Sequence, residues 1–401
     1  MSAPGRAPGR APGRAIIDAR SSLVFVISFG VVSFFADMAY EGMRGIAGPY
    51  LATLGASGAA VGLIAGLGEF LGYTLRLLSG GAADRTRLYW PITLAGYTVQ
   101  MAAVPALALT GSWPAAAALI ILERVGKAAR NPPRDVMLSR AGEHIGQGWA
   151  FGLHEGLDQA GATVGPLATA LVLALHQDYR AAFAWLLIPA AATVVLVFAI
   201  RLRHPEAGAI RRPVAADAGA DGLGRVFWLY AAGAGLVAFG FSDFALISYH
   251  FARAATVPAY GVPILYALAM PAAALGSLLF GRWFDRRGLM VLIPGTLLVL
   301  WATPLAFLGG FGGAIAAALL WGIGLGLHET VMAAAVATMV PAERRARAYG
   351  VFAAVFGTAW LAGSTLQGVL YDVSVPLMVA VALAAQIAGL LPIRLAARAM
   401  G

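Results

Sequence analysis

The sequence predicts an all-α integral membrane protein of twelve transmembrane helices in two pseudo-symmetric six-helix bundles. Three observations carry this. First, 60% of the 401 residues are hydrophobic and only 12% are charged, against about 25% charged in a soluble domain. Second, long apolar stretches recur at 23–36, 91–110, 181–200, 226–242, 289–308, 312–327 and 375–393, and runs of roughly 18 or more such residues make membrane-spanning helices. Third, parts of the first half return in the second. "FFADMA" (34–39) resembles "GFSDFA" (240–245), and "LERV" (122–125) lies opposite "HETV" (328–331). Asp37 thereby matches Asp243 and Glu123 matches Glu329, each pair 206 positions apart.

The chain opens on "APGRAPGRAPGR", where Pro and Gly every four residues deny a helix. Residues 1–20 therefore read as a disordered basic tail. Turn and charge clusters then place spans near 21–52, 57–79, 91–110, 113–130, 147–175 and 180–200 in a first bundle, 21–200. The fourth of these is expected to stop at Pro132-Pro133, because proline cannot donate within a helix. The stretch "RLRHPEAGAIRRPVAADAGADGLG" (201–224) is polar and reads as a linker. A second bundle, 225–401, holds spans near 225–253, 258–281, 289–309, 312–338, 347–370 and 374–397.

Twenty-four of the 28 Lys and Arg residues fall at the tail, the linker and the even-numbered connections; Arg44, Arg76, Arg180 and Arg253 are the exceptions. The positive-inside rule then puts both termini in the cytoplasm of a multi-pass protein of the cell's inner membrane. It also explains the net charge of +9 without a nucleic-acid partner. Cysteine is absent, which excludes disulfides, thiol catalysis and zinc–thiolate sites. No nucleotide-binding loop or serine elbow is present, so the chain does not read as an enzyme.

Several charges stand inside the apolar runs. A charge at mid-membrane costs about 2.5–3.5 kcal/mol on insertion scales, so such residues face a cavity or a partner. Asp37, Glu41 and Arg44 fall within roughly 60° on one helix face. Glu69, Glu123, Asp243, His250, His328 and Glu329 are buried in other spans, and His154, Glu155 and Asp158 share the fifth. His154 and Asp158, one turn apart, could instead share a cation; the reading adopted is no metal and no cofactor. The first half has six acids (Asp37, Glu41, Glu69, Glu123, Glu155 and Asp158) against two buried cations, Arg44 and Arg76. Arg44 is expected to satisfy Glu41 and leave Asp37 uncompensated. Asp37, Asp158, Glu123 and Glu155 are therefore proton-coupling candidates, Asp37 first.

Turn and packing motifs lead to a family. Gly80, Asp84 and Arg85 follow the second span, and Gly281, Asp285, Arg286 and Gly288 follow the eighth. Both match Gly-x-x-x-Asp-Arg-x-Gly, with Arg87 replacing the last glycine in the first copy. Together with the repeat, these residues resemble the major facilitator superfamily of secondary transporters over nearly the whole chain. Gly152, Gly161, Gly165 and Pro166 are similar to the antiporter motif of its proton-coupled exporters, although Thr169 and Ala170 replace two glycines. Close packing through small residues explains the same pattern. "ERVGKAARNPPRD" (123–135) resembles a signature of one bacterial group of members.

The resemblance implies that spans one, four, seven and ten line a central cavity. Asp37, Glu41, Arg44, Glu69, Glu123, His154, Asp243, His250, His328 and Glu329 would be the cavity residues. It also implies that Asp84 meets the start of the eleventh span near 346–349. The expected function is proton-coupled export of a small molecule or ion by a monomer. An uptake permease or symporter is the alternative, and a non-transport membrane protein the remaining one.

Overall fold

The apolar runs fold as helices throughout the described residues. The computed structural model describes residues 19–208, 222–341 and 344–400. The basic tail, but for Ala19 and Arg20, and the middle of the linker lie outside them. The first half contains α1 (Ala19–Thr53), α2 (Gly58–Thr86), α3 (Tyr89–Ala106), α4 (Trp113–Ile145), α5 (Gln147–His176), α6 (Tyr179–Trp185) and α7 (Leu187–Arg203). The second contains α8 (Arg225–Gly240), α9 (Phe244–Arg253), α10 (Gly261–Arg287), α11 (Leu292–Val299), α12 (Ala302–Leu308), α13 (Gly310–Gly326), α14 (Ala333–Met339), α15 (Arg345–Val373) and α16 (Val375–Met400).

These helices make twelve spans. Ten segments among the described residues are long and apolar enough to cross a bilayer. One of them, Gly261–Leu308, is two spans that turn at Gly288, whose φ of +57° suits glycine. The twelfth is α4, whose charges hide it from a hydropathy scan. Spans six, seven, nine and ten are each broken into two pieces, and the tenth carries a π-helical turn at Leu327–Met332 between α13 and α14. The sequence expectation errs at the fourth span. α4 continues through Pro132 and Pro133 to Ile145, because Asn131 and Pro133 are buried and tertiary packing holds the helix where two backbone bonds are missing.

In the first bundle α1 packs on α5, α7 and α4, and α3 packs on α4 and α7. In the second, α8 packs on α16 and α15, and α10 on α13. The bundles meet through α2 on α15, α1 on α9 and α5 on α10. One end of the molecule carries the start of α1, the end of α16 and most of the described arginines; the other is the far face. At the far face the bundles are sealed. Gly48 lies against the Ala245 carbonyl, and Tyr249 Oη donates to the Ala56 carbonyl at 2.9 Å. Towards the arginine-rich face the fourth and tenth spans have no substantial contact with each other, and the gap between them is termed the crevice.

Glycine sets the closest approach within the first bundle. Gly161 and Gly165 lie against the backbone of Phe34 and Met38, where any side chain would meet a carbonyl oxygen. Gly152, in the same motif, has open space around it. Gly165→Ala is expected to cost about 1–3 kcal/mol through overpacking and to lower the unfolding temperature in detergent. Gly152→Ala should leave it unchanged.

Candidate functional site

Four positions of α4, Glu123, Lys127, Arg130 and Arg134, recur at helical spacing on one inward stripe. Gly96 and Gly126 allow α3 and α4 to touch at backbone distance: a Cβ on Gly126 would stand 2.7 Å from the Gln100 nitrogen. That approach buries Arg130, which is 1% exposed. Its Nε donates to Gln100 Oε1 at 2.5 Å and its Nη1 to Tyr97 Oη at 2.9 Å, and the guanidinium lies 4.2 Å from the Tyr97 ring centre. Gln100 Nε2 in turn donates to Glu123 Oε1 at 2.8 Å. Arg130 Nη2 approaches Asp37 Oδ1 at 3.8 Å, beyond hydrogen-bond distance. Asp37 also meets the carboxyl of Asp158 on α5. The Asp37 carboxyl therefore faces one distant guanidinium and a second carboxyl.

A second cluster surrounds Tyr40. Arg44, Arg124 and Lys127 stand 5.6, 5.2 and 3.5 Å from its ring centre, and Arg124 donates to its hydroxyl. Glu69 Oε1 bridges Arg124 at 3.1 Å and Arg44 at 3.3 Å. Glu41 is 3.9 Å from Arg44 and accepts a 2.5 Å hydrogen bond from Tyr266, which crosses from the second bundle. Arg44 pairs with Glu41 as the sequence leads one to expect, and Glu69 holds it more closely still. A cavity of about 30 Å³ lies beside Arg44, Arg124 and Asp243, room for about two waters.

Arg124, Lys127 and Arg130, placed by the sequence at the end of the fourth span, belong to this interior, and Arg134, expected beyond the helix end, joins them on α4. Arg44 is thus not the sole interior cation, whereas Arg76 and Glu155, both expected inside, are exposed. Lys127, Arg130 and Arg134 follow Glu123 at helical spacing, but Pro132-Pro133 were expected to end the helix before Arg134. The fifth-span trio does not converge. His154 faces Ser33 at 3.4 Å, whereas Glu155 is exposed and accepts from Gln159. Among the described residues no group of three His, Asp or Glu is placed to hold a metal ion.

The second bundle contributes rings and few charges. Asp243 is the N-cap of α9, accepting from the Ala245 amide at 2.8 Å. His328 is enclosed by Phe241, Phe356 and Trp360. Its neighbour Glu329 is exposed in the crevice, where Lys127 and Arg76 act on it from the first bundle without touching it. His250 does not join the centre. It lies towards the far face, 3.1 Å from Tyr371 Oη and against Phe307. α9 begins only at Phe244, so His250 sits near the far end of a short half-helix.

At the arginine-rich face Asp84 is exposed and accepts from Tyr89 at 2.7 Å. Among the described residues the expected contact with the start of α15 is not made in this conformation. Asp285 and Arg286 are exposed, and Gly288 closes α10.

The family model of the Major Facilitator Superfamily matches residues 29–364. The chain belongs to the major facilitator superfamily. An uncharacterized protein of Mycobacterium tuberculosis is 40% identical over 380 residues, covering 93% of this chain and 92% of that one. An uncharacterized transporter of the same superfamily type from Methanocaldococcus jannaschii is 32% identical over 38% of each chain. Among solved structures, a peptide transporter superposes with a TM-score of 0.73 at 14% identity, covering 96% of this chain and 99% of that one. A nucleoside transporter superposes at 0.70 and 15%, covering 94% and 98%. These likenesses establish the fold. As a major facilitator the protein is a multi-pass membrane transporter.

The network separates structural from free cations. Arg130→Met strands Gln100, Tyr97 and Asp37 in a buried site and is expected to cost about 3–5 kcal/mol, read as loss of folded protein in thermal unfolding. Lys127→Met removes a cation that touches only a ring among the described residues, and should leave the unfolding temperature within a few degrees of the parent.

Proposed function

We propose that this protein is a proton-coupled secondary transporter exporting a small solute, with the Asp37–Asp158 pair as its proton site. The carrying observation is the meeting of the buried Asp37 carboxyl with the half-buried Asp158, beside a guanidinium that Gln100 and Tyr97 already hold. Two carboxyls this close cannot both ionise cheaply, so the pair holds one proton unless a cation moves in. Lys127, Arg130 and Arg134 from α4 and His154 and Glu155 from α5 are titratable and charged groups around them. A small shift of α4 against α1 and α5 changes how far Arg130 and Arg134 compensate the pair, and so loads or releases the proton.

The bundles, 21–200 and 225–401, rock as bodies about the central cluster, joined by 201–224. The arginine-rich face is placed in the cytoplasm by the positive-inside rule. The crevice then opens inward and the far-face seal closes the outside. Export is favoured over uptake by the antiporter-like glycines of α5, whose two packed members carry the proton-site helix against α1.

The test reads the proton directly. Infrared difference spectra of purified protein across pH 5–9 should show a protonated carboxyl that titrates. Asp37→Asn and Asp158→Asn should each remove it, and proteoliposomes carrying either variant should lose pH-gradient-driven flux of solutes found by screening with the parent. A carboxyl signal unchanged in both variants would place the proton elsewhere.

A further inference from the structure

Helices α2 and α15 belong to different bundles, run antiparallel and touch along their length. Gly62 lies on the Ser364 carbonyl, Gly66 on Leu361 and Gly357 on Phe70. At the far face this pair ends in a polar clasp. Asp372, in the last turn of α15, accepts from the Gly58 amide through Oδ1 and from the Ala59 amide through Oδ2, both at 2.9 Å. The Ala60 amide is taken by Ser57. The open amides of the first turn of α2 are thus filled, two of them by the opposite bundle.

The charge is misplaced on its own helix and well placed on its neighbour. A carboxylate at a helix C-terminus is unfavourable, and one at a helix N-terminus is favourable. Asp372 sits at the C-terminal end of α15 and at the N-terminal end of α2. The opposite end of the same helix pair repeats this chemistry in reverse. Asp84 occupies the last turn of α2, and α15 begins at Arg345 nearby. Here the acid is disengaged, held by Tyr89 and exposed.

We propose that Asp372 is the far-face latch of the transport cycle. It grips the start of α2 while that face is closed and lets go when it opens. It alternates with Asp84, which grips the start of α15 only when the arginine-rich face closes. One helix pair thus carries two carboxylate latches, at opposite ends and engaged one at a time. The inference rests on the family's alternating access and not on the proton assignment.

The natural chain has no cysteine, so spin labels at Ala115→Cys and Ala259→Cys, both exposed at the far face in opposite bundles, report its opening by distance. In reconstituted protein Asp372→Asn and Asp372→Ala should raise the open-to-closed ratio about tenfold, the effect of losing charge-assisted hydrogen bonds. Ala59→Pro should do the same, since proline is tolerated in a first helical turn but removes a latch donor. Asp84→Asn should not increase far-face opening. Parent-like distances in Asp372→Asn and Ala59→Pro would overturn the proposal. Because the readout is a distance, that result would leave the proton reading standing, and loss of the infrared carboxyl signal would not bear on the latch.

Discussion

A charge in hydrocarbon has to be matched where it stands, and Arg130 shows what that demands here. Its guanidinium is enclosed by Tyr97, Gln100 and Asp37, and Gln100 passes the connection on to Glu123. Glu69 closes a second circuit between Arg124 and Arg44. Removing one member of such a buried set leaves an uncompensated charge, which costs more than the pair contributes. The close approach of α3 to α4 through Gly96 and Gly126, and of α1 to α5 through Gly161 and Gly165, follows from the need to bring these groups together.

Among the described residues the ion pairs of the interior all fall within the first bundle. Among the described residues only Tyr266 to Glu41 links this network to the second bundle by a hydrogen bond. The facing wall is built from rings, with Phe241, Phe356 and Trp360 around His328. This asymmetry has a mechanical consequence. The bundles can rock against each other without separating a buried ion pair, because among the described residues none spans the interface. What must break at the far face is a set of hydrogen bonds and glycine contacts, each of which water can replace.

The spans were legible in the sequence because twenty apolar residues have few other fates. The broken seventh span was not, since Asp243 reads equally well as a cavity acid and as the N-cap that it is. The α4 stripe was half legible. Glu123, Lys127 and Arg130 stood within the expected span, but Arg134 was placed beyond its end on the strength of Pro132-Pro133. Local propensity lost there to burial on both sides of the prolines. The closer partner of Arg44 was missed for a different reason. Helical spacing places Glu41 on the same face, but only the packing of α2 against α1 and α4 brings Glu69 closer. Periodicity gives the face of a residue and not what stands opposite it.

Alternating exposure of this charged first bundle is the central claim, and cysteine accessibility tests it most directly. A single cysteine at Gly152 reports the open side of α5, and one at Ser248 reports the far-face seal, where Ser248 is buried against Gly48. With an impermeant maleimide, the account predicts that Gly152→Cys labels in the conformation described and is protected when the far face opens, while Ser248→Cys does the reverse. Labelling of both positions that rises and falls together, or never changes with solute and proton gradient, would contradict it.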